Sequence, residues 1–161
     1  MRLTIISIGQ TLRNDDGAGL AAVHYWVNAF PGTSHNPSIT IEEAELPGIN
    51  LLNLLEGCDA SILVDAVQSN SPPGTIHQLT EPDLLGFPKG TQTAHGWGVA
   101  ETLQLGRKLG YQLPEFIRII GIEGENFLPG DSLSPSIQSH LDEAAQAIED
   151  SATIILKQWS A

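Results

Sequence analysis

IISIGQTLRNDDGAG, residues 5 to 19, is the stretch whose reading decides the fold. Its first residues complete the apolar, β-branched run Leu3 to Ile8, the composition of a strand covered on both faces. Gly9 ends that run and a short polar loop follows. Asp15 and Asp16 then stand just ahead of Gly17, where a helical pattern opens. Strand, acid-bearing loop and helix in that order make the first unit of an open α/β sheet, and such sheets carry their chemistry outside the carboxyl ends of the strands.

Further along, the two kinds of pattern keep alternating. Gly17 to Phe30 contains Leu20, Ala21, Val23, Tyr25, Trp26 and Val27, which predicts a helix packed on a sheet and stopped by Pro31-Gly32. Ser38 to Glu43 alternates, predicting a second strand near an edge with Ile39 and Ile41 inward and Thr40 and Glu42 outward. A turn over Glu45-Leu46-Pro47-Gly48 leads to a helical Leu/Ile spacing from Ile49 to Leu55. Ser61 to Val67, SILVDAV, is the most strand-like stretch and is predicted to be central, with one charge in it, Asp65. Ser69-Asn70-Ser71-Pro72-Pro73-Gly74 is a loop.

Thr75 to Leu79 predicts a short strand. The connection from the central strand is too short for a helical crossover, so this strand is expected antiparallel, at an edge. Glu81 to Leu85 could form one helical turn, and Gly86 to Thr93 reads as loop. Val99 to Leu109 is a helical pattern ended by Gly110, and Phe116 to Ile122 is another buried strand. After a polar loop from Glu123 to Asp131, Ser134-Pro135 predicts the start of a last helix reaching Lys157, with serine able to cap a free amide and proline needing no partner at the first position. Five strands separated mostly by helices predict a three-layer α/β/α sandwich with a largely parallel, twisted five-stranded sheet and one antiparallel strand. One domain over residues 1–161 is expected.

Composition narrows the function. With 161 residues, 41% of them hydrophobic and 16% charged, the chain can bury a substantial core. A net charge of -12 with seven scattered Lys and Arg argues against a nucleic-acid partner, whose phosphates are bound by clustered cations. The same charge argues equally against an anionic membrane surface. The opening MRLTIISIG is too short an apolar run for a signal-peptide core, and no run approaches a membrane span, so a cytoplasmic location is expected. Cys58 is the only cysteine and reads as a small packed residue; no Cys-x-x-Cys pair exists for zinc or redox chemistry. A monomer is the favoured state.

Three residues stand out as candidates. Asp15 or Asp16 could simply cap the helix that begins at Gly17, though both cannot occupy one cap. Asp65 must end its strand or be paired, because an unpaired buried charge costs several kcal/mol; a structural salt bridge and a site role are the two readings. Among five histidines, His24, His35, His77 and His140 read as packed or solvated. His95 differs, since Gly96 and Gly98 flank Trp97 beside it and give a backbone that can approach a ligand closely. Asp16 and Asp65 would converge at the carboxyl edge of a parallel sheet, and His95 could reach the same crevice.

These residues resemble those of the hydrogenase maturation endopeptidases, which trim the C-terminus of the large subunit of nickel-iron hydrogenases. The resemblance covers nearly the whole chain. It rests on Gly9-Gln10-Thr11-Leu12-Arg13-Asn14-Asp15-Asp16-Gly17-Ala18-Gly19, on Asp65-Ala66 before a Pro-Gly loop, on His95, and on Gly121-Ile122-Glu123 followed by Leu133-Ser134-Pro135. It implies that Asp16, Asp65 and His95 occupy the three metal-contacting positions of the family and form the catalytic set. Gln10 stands where the family usually has asparagine. The Glu45 to Gly48 segment lies in a region that varies within the family and so bears on substrate choice.

The family pattern implies hydrolysis of one peptide bond in a hydrogenase large-subunit precursor, with nickel supplied by the precursor and no organic cofactor. Two carboxylates and an imidazole form a borderline donor set able to complete the coordination of nickel or zinc. The residues leave open whether the metal polarises the carbonyl, the metal activates water, or an aspartate acts as base. A nucleotide or flavin site is disfavoured because Gly9 is followed by no glycine until Gly17, and no Gly-x-Ser-x-Gly elbow supports a serine hydrolase. The competing reading is a non-enzymatic nickel-binding or chaperone protein of hydrogenase assembly that uses the same three ligands.

Overall fold

The computed structural model describes residues 1–84, 86 and 98–160. Strand β1 (Leu3–Ile8) is buried at every position, as its unbroken apolar run requires. It lies between β2 (Ile39–Ala44) and β3 (Ala60–Val67), parallel to both. β5 (Phe116–Glu123) continues the sheet parallel to β3, and β4 (Ile76–Thr80) closes it antiparallel to β5. The order is β2-β1-β3-β5-β4, so the acid-bearing strand β3 is central and the antiparallel strand forms an edge. This is the expected mixed, mostly parallel sheet.

Helices cover both faces. α1 (Ala18–Ala29) and α7 (Leu141–Ser160) pack on one face, where Leu3, Ile5, Ile62 and Val64 meet Ala22, Val23, Trp26, Ile148 and Ile155. On the other face α3 (Ile49–Leu55) and α5 (Val99–Leu109) bring Leu51, Leu52, Leu55 and Leu103 onto Ile6, Ile8, Leu63 and Ile119. Each buried Val, Leu or Ile among them stabilises the fold by about 1.5–3 kcal/mol. Trp26 is fully enclosed, and its indole N–H donates to Glu149 Oε2 at 2.9 Å, tying α1 to α7. The described residues also include the single-turn helices α2 (Pro31–Ser34), α4 (Glu81–Leu84) and α6 (Pro135–Gln138). Among the described residues no helix is long and apolar enough to cross a membrane.

Two expectations need correction. Ile41 is not buried: it shares a face with Ile39, which packs on the core, yet it is 38% exposed, because β2 is an edge strand with a neighbour on one side only among the described residues. The last helix is also not continuous from Ser134. The Ser136 carbonyl is taken by His140 Nδ1 at 2.6 Å and by the Ser139 hydroxyl at 3.0 Å, while the His140 main-chain N–H turns to Ile137 instead. Side chains competing for a main-chain carbonyl break the helical ladder at that point, so α6 and α7 are separate and His140 lies between them.

Candidate active site

The site grows from the loop after β1. Gly9 adopts φ +136°, and a Cβ there would fall 1.9 Å from the main-chain oxygen of Asp16, so only glycine lets the chain fold back this tightly. The loop closes through Asp16, whose Oδ2 accepts the Gln10 N–H at 2.8 Å. That bond uses the main chain of residue 10, so glutamine in place of the family's usual asparagine leaves it intact. Asp16 itself sits in a 3₁₀ turn (Asn14–Gly17) and is 3% exposed.

Asp65 is level in the sheet with Ile8 on β1 and Gly121 on β5, at the point where β1 ends. It shares a sheet face with Leu63, two residues back, and so opens toward the α3 and α5 side. α1 comes within reach from behind because Gly19 has no side chain: a Cβ there would lie 2.3 Å from the Val64 carbonyl and 3.1 Å from that of Ile8. Burial, and then the neighbouring Asp16 charge, push the Asp65 carboxyl well above the usual carboxylate range, against a hydrogen bond from the Ala66 main chain. The structure thus brings two of the three expected site residues together. His95, and the loop around it, lie outside the described residues.

Asp15 does something different. Burial pushes its carboxyl up, but hydrogen bonds from Ser134, Glu125 and Asn126 outweigh it and hold the group below its ordinary value. Oδ1 accepts the Ser134 N–H at 2.7 Å; Oδ2 accepts the Ser134 hydroxyl at 2.7 Å and the N–H groups of Asn126 and Glu125 at 2.9 and 3.0 Å. Asp15 is therefore a latch between the first loop and the segment after β5. Neither aspartate caps α1, whose N-cap is Gly17 without a side-chain cap, so the capping expectation is corrected. The Ser134 hydroxyl, expected to cap the following helix, is likewise spent on Asp15.

A further acid went unsingled by pattern. Glu123 closes β5 and is 1% exposed; its carboxylate accepts the Ser69 N–H at 2.6 Å, the Ser69 hydroxyl at 2.7 Å and His77 Nε2 at 3.0 Å. This pins the Ser69–Gly74 loop beside the site. The signal was the same as for Asp65: one acid at the end of an otherwise apolar strand, FIRIIGIE. His77 is accordingly a paired histidine, while His24 is exposed and lies 3.6 Å from Glu43. Cys58 is buried, its Sγ 3.1 Å from Thr4 Oγ1 and 3.2 Å from the Leu54 carbonyl, as a packed thiol should be.

A mostly parallel five-stranded sheet with helices on both faces, and with Asp16 close enough to Asp65 at the end of β1 for its charge to raise that carboxyl, defines an α/β protein with an acidic carboxyl edge. The model of the hydrogenase maturation protease family (HycI) matches residues 29–151, and the chain belongs to that family. It is 27% identical over 165 residues to the hydrogenase expression/formation protein HupD of Rhodobacter capsulatus, covering 98% of this chain and 72% of that protein. Its fold is that of the hydrogenase maturating endopeptidase HybD from E. coli, with TM-score 0.73, 22% identity, and 92% and 90% of the two chains covered. The [NiFe] hydrogenase maturation protease HybD from Thermococcus kodakarensis superposes with TM-score 0.70 at 26% identity, covering 94% of this chain and 99% of that one. The protein is thus a hydrogenase maturation endopeptidase, of the class that processes the C-terminus of the nickel-iron hydrogenase large subunit.

Proposed function

We propose that the protein recognises nickel already inserted in a hydrogenase large-subunit precursor and then cuts one peptide bond, releasing a C-terminal extension. Asp16, Asp65 and His95 form the metal-contacting and catalytic set. The observation that carries this reading is the Asp16–Asp65 pair. Two carboxylates are gathered at the sheet edge, one of them raised by burial and by the other's charge, with no ion pair to Asp65 among the described residues. Carboxylate oxygens together with an imidazole suit a divalent ion such as nickel in its borderline character.

Nickel enters as part of the substrate. Docking of the three side chains onto it orients the adjacent peptide bond, converting recognition into positioning. The rigid parts are Gly9, which brings Asp16 back over β1, and β3, which holds Asp65. No organic cofactor takes part, and the whole chain, residues 1–161, acts as one domain. The reaction belongs in the cytoplasm, where the thiol of Cys58 stays reduced. Asp16→Asn, Asp65→Asn and His95→Ala are each expected to slow release of the extension from nickel-loaded precursor by about 100-fold or more. Cleavage at the wild-type rate by the Asp65 and His95 variants would refute the assignment.

A further inference from the structure

At the ends of β1 and β2 lies a cleft of about 550 Å³ that neither Asp16 nor Asp65 lines. Ser7 enters it from β1 and Glu43 from β2. The two are register partners in a parallel pair, so their side chains stand side by side on one face. Gly9, Gln10 and Leu12 supply a second wall, and Glu45 sits just past the end of β2. Ser7 is 2% exposed, and its Oγ has no hydrogen-bond partner among the described residues. Buried hydroxyls are nearly always bonded, so this one points to a ligand atom that belongs beside it. Leu12, 71% exposed, offers apolar surface at the rim.

The cleft therefore combines a buried hydroxyl, two carboxylates and aliphatic surface. The complementary group is an aliphatic stem ending in a charged, many-donor head. We propose that the cleft receives a cationic side chain of the precursor, arginine in preference to lysine because its five donors can serve the hydroxyl and a carboxylate together. The identity of the partner rests on the endopeptidase reading; the chemistry of the cleft does not. Because the Gln10 N–H also holds Asp16 Oδ2, one loop forms both the cleft wall and the edge of the site. A precursor side chain seated here would fix the register of the chain that runs past Asp16.

The test has two parts. Amide chemical shifts are followed on adding N-acetyl-arginine amide, and separately its uncharged citrulline counterpart. The expected result is saturable shifts at Ser7, Gln10, Glu43 and Glu45 with the arginine probe, binding about tenfold or more weaker for citrulline, and loss in the Glu43→Gln/Glu45→Gln variant. Equal binding of the two probes, shifts only elsewhere, or no binding at tens of millimolar would overturn the proposal. In cleavage of nickel-loaded precursor, Ser7→Ala and the double glutamine variant should raise KM about tenfold with a smaller change in kcat. An unchanged KM would also overturn it. If the wild-type protein binds the arginine probe in the cleft but cuts no precursor, the endopeptidase reading falls and the cation subsite stands.

Discussion

Asp65→Asn should make the protein more stable while abolishing its activity. The carboxyl is buried in the central strand between Ile8 and Gly121, and both burial and the Asp16 charge raise it above its ordinary value. Its folded value lies above the unfolded one, so the penalty is absent below the usual carboxylate range, where both states are protonated. It grows as pH rises from there and is complete above the folded value. Burial of an incompletely compensated polar group costs on the order of 1–3 kcal/mol in proteins. Asparagine keeps the shape and removes the charge, so at neutral pH the variant should gain up to that amount, a rise in Tm of roughly 2–4 °C per kcal/mol at this size. Thermal melts of both proteins from pH 4 to 8 measure it: the gap should be near zero at the acid end and widen with pH. A variant less stable than wild type at pH 8, or a gap that does not change with pH, would show that Asp65 is held by a structural ion pair and refute the reasoning.

Asp15→Ala should instead destabilise the protein by about 3 kcal/mol or more, measured by urea unfolding, because it strands the Ser134, Glu125 and Asn126 donors that converge on one buried carboxylate. Asp15 also gives the opposite pH signature: its folded value is depressed, so its contribution is full above the unfolded carboxylate value and is lost as pH falls through the folded one, visible as a shrinking wild-type-to-variant gap below about pH 4. Gly19→Ala should cost about 3 kcal/mol or more in the same assay, since its Cβ would meet the backbone oxygens of Val64 and Ile8, neither of which can rotate away.

Much of this was legible because it lay in local pattern. The continuous apolar runs of β1, β3 and β5 announce doubly covered strands, and the short loop to β4 dictated its antiparallel pairing. The convergence of Asp16 and Asp65 followed from parallel topology alone. What pattern could not reveal depends on distant partners. Asp15 and Asp16 are adjacent and chemically identical, yet one turns to Ser134, far along the chain, and the other to the loop beside it. Ile41 was expected to be buried because alternation gives the face of a side chain but not the edge position of its strand, which leaves it exposed. The break between α6 and α7 hangs on His140 and Ser139 competing for one carbonyl, a contest that composition does not show.

The central claim is that cleavage waits for nickel in the precursor. Its most direct test is mass spectrometry of a hydrogenase large-subunit precursor incubated with this protein in nickel-loaded and nickel-free forms. Loss of one defined C-terminal peptide from the loaded form alone, abolished by His95→Ala, is the predicted result. Equal cleavage of both forms would contradict metal recognition, and no cleavage of the loaded form would contradict the assigned reaction.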